Sequence, residues 1–366
     1  MHIAGSQQAA FFAGTGTGFP PVKCDDAASG FQGACFHCLP MFGRPYSQRH
    51  IRRREQQCQT KEIPMPLTYI VKHLNRRLRE LHPDSVLAEV GRIGLEPEGV
   101  SAQIQNIKLT PVHSSVFSTT TFAHFANNSE LRLNDPSGAL SGQRVYLQAW
   151  NGSDIIFLDR LIRTLQCLHY IYLNLGNPPK PPLILDIHTR HIEAVPKDHG
   201  LVFESLLHSL GLSPCQIILR LNLSCTTELS GLAGAIENFR DRGYGLLLHC
   251  EHLTGLCVDA QNTWEQNLRG IRALGIGYLE FRSAASGAVD YPAAMLELNR
   301  IARAEGFATL LIGLTDRLAL QRALDDRFDG VEGPVFGDGE QLSEASSKAG
   351  ALGFGLNPLE GLSWIV

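Results

Sequence analysis

Residues 243–256 read GYGLLLHCEHLTGL, and the way this stretch folds decides the architecture. Gly243 closes the helical pattern LAGAIENFRDRG of residues 232–243. An apolar run follows at once, and then His249, Cys250, Glu251 and His252 stand in succession. Glycine accepts the left-handed backbone that commonly ends a helix, so Gly243 marks a passage from helix to strand. Three readings of the polar cluster are open: a metal site, a nucleophile with its base, or the remains of a site whose chemistry is lost.

The same punctuation recurs along the chain. Gly211, Gly243, Gly275 and Gly306 each end a helical pattern just before an apolar run, at separations of 32, 32 and 31 residues. That is the length of one strand–helix unit. The runs are PLILDI (182–187), QIILRLNL (216–223), YGLLLHC (244–250), GYLEF (277–281) and ATLLIGL (308–314). Strands apolar at nearly every position belong to a parallel sheet covered on both faces. Further units at 106–117, 122–126 and 330–338 bring the count to about eight, the number that closes a (β/α)8 barrel. An open doubly wound sheet is the alternative, but it carries a Gly-rich phosphate loop after its first strand. GTGTGFP at Gly14–Pro20 follows no strand and opens no helix.

The barrel pattern occupies residues 106–366. Ahead of it, Leu67, Ile70, Val71, Leu74, Leu78 and Leu81 fall at helical spacing up to Pro83. This opens an expected helical linker over 67–105, with its amphipathic helix packed on the body or docking a partner. Residues 1–66 are rich in Gly, Pro, Gln and Cys without periodicity and are expected to be a partly disordered extension. Within them Cys24, Cys35, Cys38 and Cys58 are spaced C-x10-C-x2-C-x19-C, with His37 and His50 nearby. Four thiolates complete a structural zinc knuckle; the other reading is reduced thiols in a flexible arm.

The chain has 366 residues, 44% hydrophobic and 19% charged, with formal net charge −4, a composition that suits a soluble globular protein. The charge is too small and too dispersed for a nucleic-acid binder. The basic knot RHIRRR at Arg49–Arg54 reads either as a contact to phosphate or acidic lipid or as solvated charge. No apolar stretch approaches the ~18 residues of a membrane span, and no basic region precedes AAFFAG, so a signal peptide is not expected. The nine cysteines include apolar positions such as Cys167 and Cys215, which points to reduced thiols in a cytoplasmic protein.

In a barrel of this kind the chemistry sits at the carboxyl ends of the strands. Those positions hold Asp186 and His188, Arg220 and Asn222, His249 with Cys250 and Glu251, Glu280 and Arg282, Thr315 and Asp316, and Glu332. A divalent-metal hydrolase needs converging carboxylates, and Arg220 and Arg282 oppose that. A zinc site from His188, His249 and Cys250 meets the alternation of strand side chains, which sends adjacent residues to opposite faces. A Cys250 nucleophile needs a base and an oxyanion hole, and no loop is evidently built for one.

The order and spacing from about residue 106 to 340 resemble the EAL domain, a bacterial cyclic-di-GMP phosphodiesterase module. LILDIHTRHI is similar to the family's V-N-L-S-x-R-H-L, GLSPCQIILRLNLS to its G-L-x-P-x-x-L-x-L-E-I-T-E, and FRDRGYGLLLHC to L-R-x-x-G-x-x-L-A-L-D-D-F-G. LGIGYLEFRS, LLIGLTD and GVEGPVFGDG resemble Y-L-K-I-D, V-A-E-G-V-E and Q-G-Y-Y-F-G-x-P. The resemblance implies a barrel fold, divalent metals held by carboxylates, an Asn and a Lys, and a dinucleotide ligand. It also implies that the site is degenerate. Ala123 stands for the motif glutamate and Asn127 for the motif arginine, and a shift of one or two residues restores no glutamate. Asp186 replaces the metal-binding Asn, Arg220 a glutamate, and His249 and Cys250 the paired aspartates. Glu280 replaces the Lys, Arg282 an aspartate, Ile312 a glutamate and Glu332 the final glutamine.

The expectation is a catalytically inactive EAL-like regulatory module in bacterial signalling, with another protein as partner. It has no cofactor in the barrel, no nucleic-acid partner and no membrane span, and zinc is confined to the N-terminal cysteines. The alternatives are a cyclic-di-GMP phosphodiesterase and a non-catalytic cyclic-di-GMP receptor.

Overall fold

The computed structural model describes residues 67–97, 99–135, 138–175, 181–222, 227–250, 264–283 and 292–337. Cys24, Cys35, Cys38 and Cys58, with the zinc reading attached to them, lie outside the described residues, as do Glu251 and His252.

Eight strands close into a barrel: β3 (Ile107–Ser118), β4 (His124–Asp135), β6 (Leu183–Ile187), β7 (Ile217–Asn222), β8 (Gly245–His249), β9 (Tyr278–Arg282), β10 (Ala308–Ile312) and β11 (Gly330–Val331). Around the ring the order is β3-β11-β10-β9-β8-β7-β6-β4, and pairing of β3 with β4 completes the circle. β4 and β6 to β11 run parallel, whereas β3 is antiparallel to both of its neighbours. The exception follows from the connection. A turn of five residues, 119–123, joins β3 to β4, and only a longer crossover lets consecutive strands run parallel.

Helices cover the outside: α3 (Gly152–Leu173), α4 (Thr189–Ala194), α5 (Leu201–Ser209), α6 (Thr227–Asp241), α7 (Trp264–Ala273), α8 (Ala293–Ala304) and α9 (Arg317–Asp325). The four punctuating glycines all take left-handed backbone, with φ of 71° at Gly211, 89° at Gly243, 96° at Gly275 and 83° at Gly306. At Gly275 a Cβ would also stand 2.6 Å from Cδ of Arg240, so both conformation and space ask for glycine there. Two apolar layers result. One lies between the strands and their helices, and a smaller one fills the barrel itself.

The stretch 67–105 is more than a helical linker. It is helical over α1 (Leu67–Leu81) and α2 (Leu87–Val90) and then folds as β1 (Arg92–Glu96) and β2 (Gly99–Ile104). These form an antiparallel hairpin that extends β3 outside the barrel. Ile93, Val100, Ala102 and Ile104 are buried, and Glu96 pairs with Gly99, so this short segment pairs more readily than it coils. A further antiparallel strand, β5 (Gly138–Ser141), extends β4 in the same way. No helix among the described residues is long and apolar enough to cross a membrane.

Candidate functional site

Along each barrel strand every second side chain points inward. Val116, Ala126, Ile184, Ile218, Leu247, Tyr278 and Leu310 form the apolar cluster inside the barrel. Two residues further along, the equivalent positions are polar on β4 and β6 to β9, at Asn128, Asp186, Arg220, His249 and Glu280, whereas β10 carries Ile312. One more step gives Glu130, Asn222 and Arg282 at the rim. Above the apolar floor opens a cavity of about 400 Å³, bordered by Glu130, Asp186, Arg220, Asn222, His249, Glu280 and Arg282 on the strands. Tyr146, Gln166 and His188 close its side.

Arg220 organises this mouth. Its Nε donates to Asp186 Oδ1 at 2.5 Å, and its Nη1 donates to Asn128 Oδ1 at 3.0 Å and to Glu280 Oε2 at 3.0 Å. The other Glu280 oxygen lies 2.7 Å from His249 Nδ1, and Asn222 Nδ2 donates to Asp186 Oδ1 at 3.2 Å. Arg220 and Glu280 are buried, whereas Asp186 is 41% exposed on its side chain. Burial works against the charge on Arg220, but Asp186 and Glu280 outweigh it and raise the guanidinium's hold on its proton. Burial likewise opposes the Glu280 carboxylate, and Arg220 and His249 overcome it, holding that carboxyl below its usual range. Charge-assisted bonds of this kind are the strong ones.

Glu332 follows β11, where its Oε2 accepts from Gly313 N at 3.3 Å. Burial raises its proton affinity against the opposing bonds from Ser114 and Gly313, and Glu130 and Glu280 raise it further. Behind the cavity lies a second polar group. Asp159 of α3 bonds Arg163 one turn along, and its Oδ1 accepts from His188 N at 3.0 Å. Tyr146, whose ring centroid is 4.3 Å from that of His188, donates its hydroxyl to Asp159 Oδ1 at 3.4 Å. Burial and the Asp159 charge keep the Tyr146 phenol protonated, and burial keeps His188 neutral to lower pH.

The strand ends read from sequence thus converge at Asp186, His188, Arg220, Asn222, His249, Glu280 and Arg282. Cys250 does not join them. It is buried in the outer apolar layer, and burial, reinforced by Glu280, pushes its thiol well up, which suits an inert thiol rather than a nucleophile. Ile312 is buried at the end of β10 opposite Arg282. Thr315 and Asp316 begin α9 instead, with Asp316 Oδ1 capping it by accepting from Ala319 N at 2.9 Å.

One assignment needs correction. Ala123 is exposed in the turn before β4, its carbonyl accepting from Ser118 N at 2.9 Å. This is the end of the barrel opposite the cavity. Asn127 pairs with Leu183, a residue of the outer apolar layer. The inward residues of β4 at the mouth are Asn128, which accepts from Arg220, and Glu130, which borders the cavity. β4 pairs with β6 through Asn127–Leu183 and Asn128–Ile184, and continuing that register sets Glu130 beside Asp186. The signal lay in the alternation Ala126, Asn128, Glu130, apolar then polar along one face of the strand. Asn128, Tyr146 and Gln166 were also not singled out from sequence. Among the described residues no group of three or more His, Cys, Asp or Glu is placed to hold a metal ion.

Fold and mouth together define a β/α barrel whose polar cavity contains its own cation. No protein-family description matches the chain, and no curated protein matches it. Among solved structures it is similar to the PaMucR phosphodiesterase in complex with c-di-GMP, at 13% identity over 64% of this chain and 94% of that one, TM-score 0.48. It is also similar to the Bacillus subtilis YkuI protein, with an EAL domain, in complex with substrate c-di-GMP and calcium. There the identity is 17% over 62% of this chain and 54% of that one, TM-score 0.45. A third is the Xanthomonas citri FimX EAL domain in complex with c-diGMP, at 12% identity over 73% of this chain and 91% of that one, TM-score 0.46.

Proposed function

We propose that the chain is an EAL-like barrel without phosphodiesterase chemistry, acting as a regulatory module that binds another protein in the cytoplasm of a bacterium. The observation that carries this reading is Arg220. A pair of divalent cations needs several free carboxylate oxygens at one place. Here the guanidinium already engages Asp186 and Glu280, and His249 takes the remaining Glu280 oxygen. A cation entering the mouth meets a fixed positive charge at hydrogen-bond distance from the same carboxylates. The donor set therefore does not fit two divalent ions. Glu130 adds a carboxylate at the rim, but Arg282 stands there too.

Incubating the purified full chain with cyclic-di-GMP and Mg²⁺ or Mn²⁺ tests the reading. The expected result is no linear dinucleotide above the metal-only blank. Metal-dependent turnover that Asp186→Ala abolishes would overturn it. Calorimetric binding of intact dinucleotide without turnover would replace the protein-partner reading with a receptor for the nucleotide.

A further inference from the structure

α1 divides its surface sharply. Val71, Leu74 and Leu78 are buried, with Leu67, Ile70 and Leu81 packed beside them. The opposite face carries Tyr69, Lys72, His73, Arg76, Arg77 and Glu80, all exposed and spaced by threes and fours. That spacing lines them along one side of the helix. Arg76 and Arg77 keep 68% and 45% of their side chains in solvent. Glu80, the helix's single acid, lies 3.7 Å from Arg76 and 3.9 Å from Arg77 at the carboxyl end of the face. With Arg79, α1 holds four Lys/Arg against that one acid.

The polarity extends to the whole chain. Residues 1–81 contain eleven Lys/Arg and five Asp/Glu, whereas residues 82–366 contain 21 and 31. The excess of acid thus lies in residues 82–366 and the excess of base before them in sequence, and α1 carries part of that basic excess.

We propose that the outward face of α1 binds an anionic lipid surface. A protein partner would ordinarily grip buried aromatic and apolar anchors, and Tyr69, 63% exposed, is the single large apolar side chain exposed on this helix. Lys72, Arg76 and Arg77 on the same face are long, exposed and cationic, which suits a plane of lipid headgroups that imposes no fixed register. Tyr69 is also the kind of residue that settles at a membrane interface; its ring centroid lies 5.9 Å from Lys72 Nζ. The apolar face is occupied by the protein body, so the helix does not insert. The contact is peripheral and electrostatic, and salt screens it.

Sedimentation of the full chain with extruded vesicles tests this. Vesicles of phosphatidylcholine with one third phosphatidylserine are expected to carry the chain down at low salt, pure phosphatidylcholine vesicles are not, and high salt is expected to release it. The variant Lys72→Ala/Arg76→Ala/Arg77→Ala should bind about a hundredfold more weakly while its circular dichroism and melting temperature stay unchanged. Glu80→Gln should bind more tightly. Equal binding to neutral vesicles, no binding to either, or undiminished binding by the triple variant would each overturn the proposal. So would a preference for poly-glutamate or a mixed-sequence DNA duplex over the anionic vesicles, which would assign the face to an acidic polypeptide or to nucleic acid. Arg52→Ala/Arg53→Ala/Arg54→Ala is the control: if it abolishes binding and the α1 variant does not, the face is elsewhere.

Discussion

Two arginines are buried among the described residues, Arg220 and Arg163, and the molecule keeps them in different ways. Arg220 sits inside the barrel and is bonded to residues of three other strands, Asn128 on β4, Asp186 on β6 and Glu280 on β9. Arg163 sits outside it, in the layer of helices. Its ionic partner is Asp159, one turn away on α3, and its guanidinium lies 4.3 Å from the centroid of the Phe203 ring. Among the described residues its Nε and Nη1 have no hydrogen-bond partner. One charge therefore ties distant strands together, while the other is a local pair resting on an aromatic face. Losing one partner of a buried pair is costly because the other is left charged and dry, so the two sites should respond unequally.

The largest effect is expected at Arg220. Arg220→Met leaves Glu280 fully buried with His249 as its remaining side-chain partner at the mouth, and should lower unfolding stability by about 3–5 kcal/mol in urea titrations. Adding Glu280→Gln should recover a large part of that loss, because the stranded charge goes with it. If the double variant is as unstable as the single one, packing rather than charge holds the mouth. At the second site, Arg163→Met should cost less, roughly 2–3 kcal/mol. Asp159 retains His188 N and the Tyr146 hydroxyl, and two unpartnered donors are removed from the interior. Equal losses at the two sites would dissolve the distinction between them.

The two arginines also differ in how they can be read from sequence. Asp159 and Arg163 stand four apart in a helix, a spacing that usually denotes a solvent-exposed pair. Their burial follows from α3 being packed against β2, β6, α4 and α5, which no local pattern states. Arg220 and Glu280 were legible as departures, a cation and an anion each standing where the resembling family keeps the opposite sign. That the two touch became visible only once the register of β6 to β9 was known. The strands of the barrel were legible because fully buried parallel strands are apolar throughout and glycine punctuates each unit. β4 is harder, since beyond its barrel pairings with β3 and β6 its far end pairs with β5. Its mixed composition hides Asn128 and Glu130, and the residues that resemble the family's motif, from Ala123 on, begin in the turn before it. The hairpin at residues 92–104 was missed because strands of five and six residues give too few alternations to stand out beside a helix of 15.

Acid should sharpen the contrast. Around Arg163, burial holds His191 down to about 3 despite the nearby Asp159. Burial likewise holds His113, 5.1 Å between ring centroids from His169, down to about 3. Both histidines are neutral in the folded protein and bind a proton near pH 6.5 when unfolded. The unfolded state then takes up more protons, so stability is complete above pH 6.5 and declines as pH falls toward 3. Each histidine should cost roughly 2 kcal/mol between pH 6.5 and 5. Glu280 adds little over that window, because it is held below its usual range and stays ionised. His113→Gln should flatten the decline measured by urea unfolding at a series of pH values. An unchanged slope would mean that His113 takes up its proton without unfolding.

The smallest effect is expected where no charge is involved. β1 is an edge of the sheet, and unpaired edges invite association. Asn75 of α1 reaches across it, its Nδ2 donating to Ile93 O at 2.8 Å and its Oδ1 accepting from Ile93 N at 2.9 Å. One side chain thereby supplies both bonds that a neighbouring strand would make, and fastens α1 to the hairpin. Asn75→Ala removes two neutral bonds from a half-buried place, which should cost about 1–2 kcal/mol, below either arginine. Amide exchange at Ile93 should quicken by a comparable factor, while exchange in β7 and β9 stays as it was. If exchange quickened in those strands too, α1 and the barrel would unfold as one unit, and the division between a local pair and a strand-spanning tie would not extend to this edge.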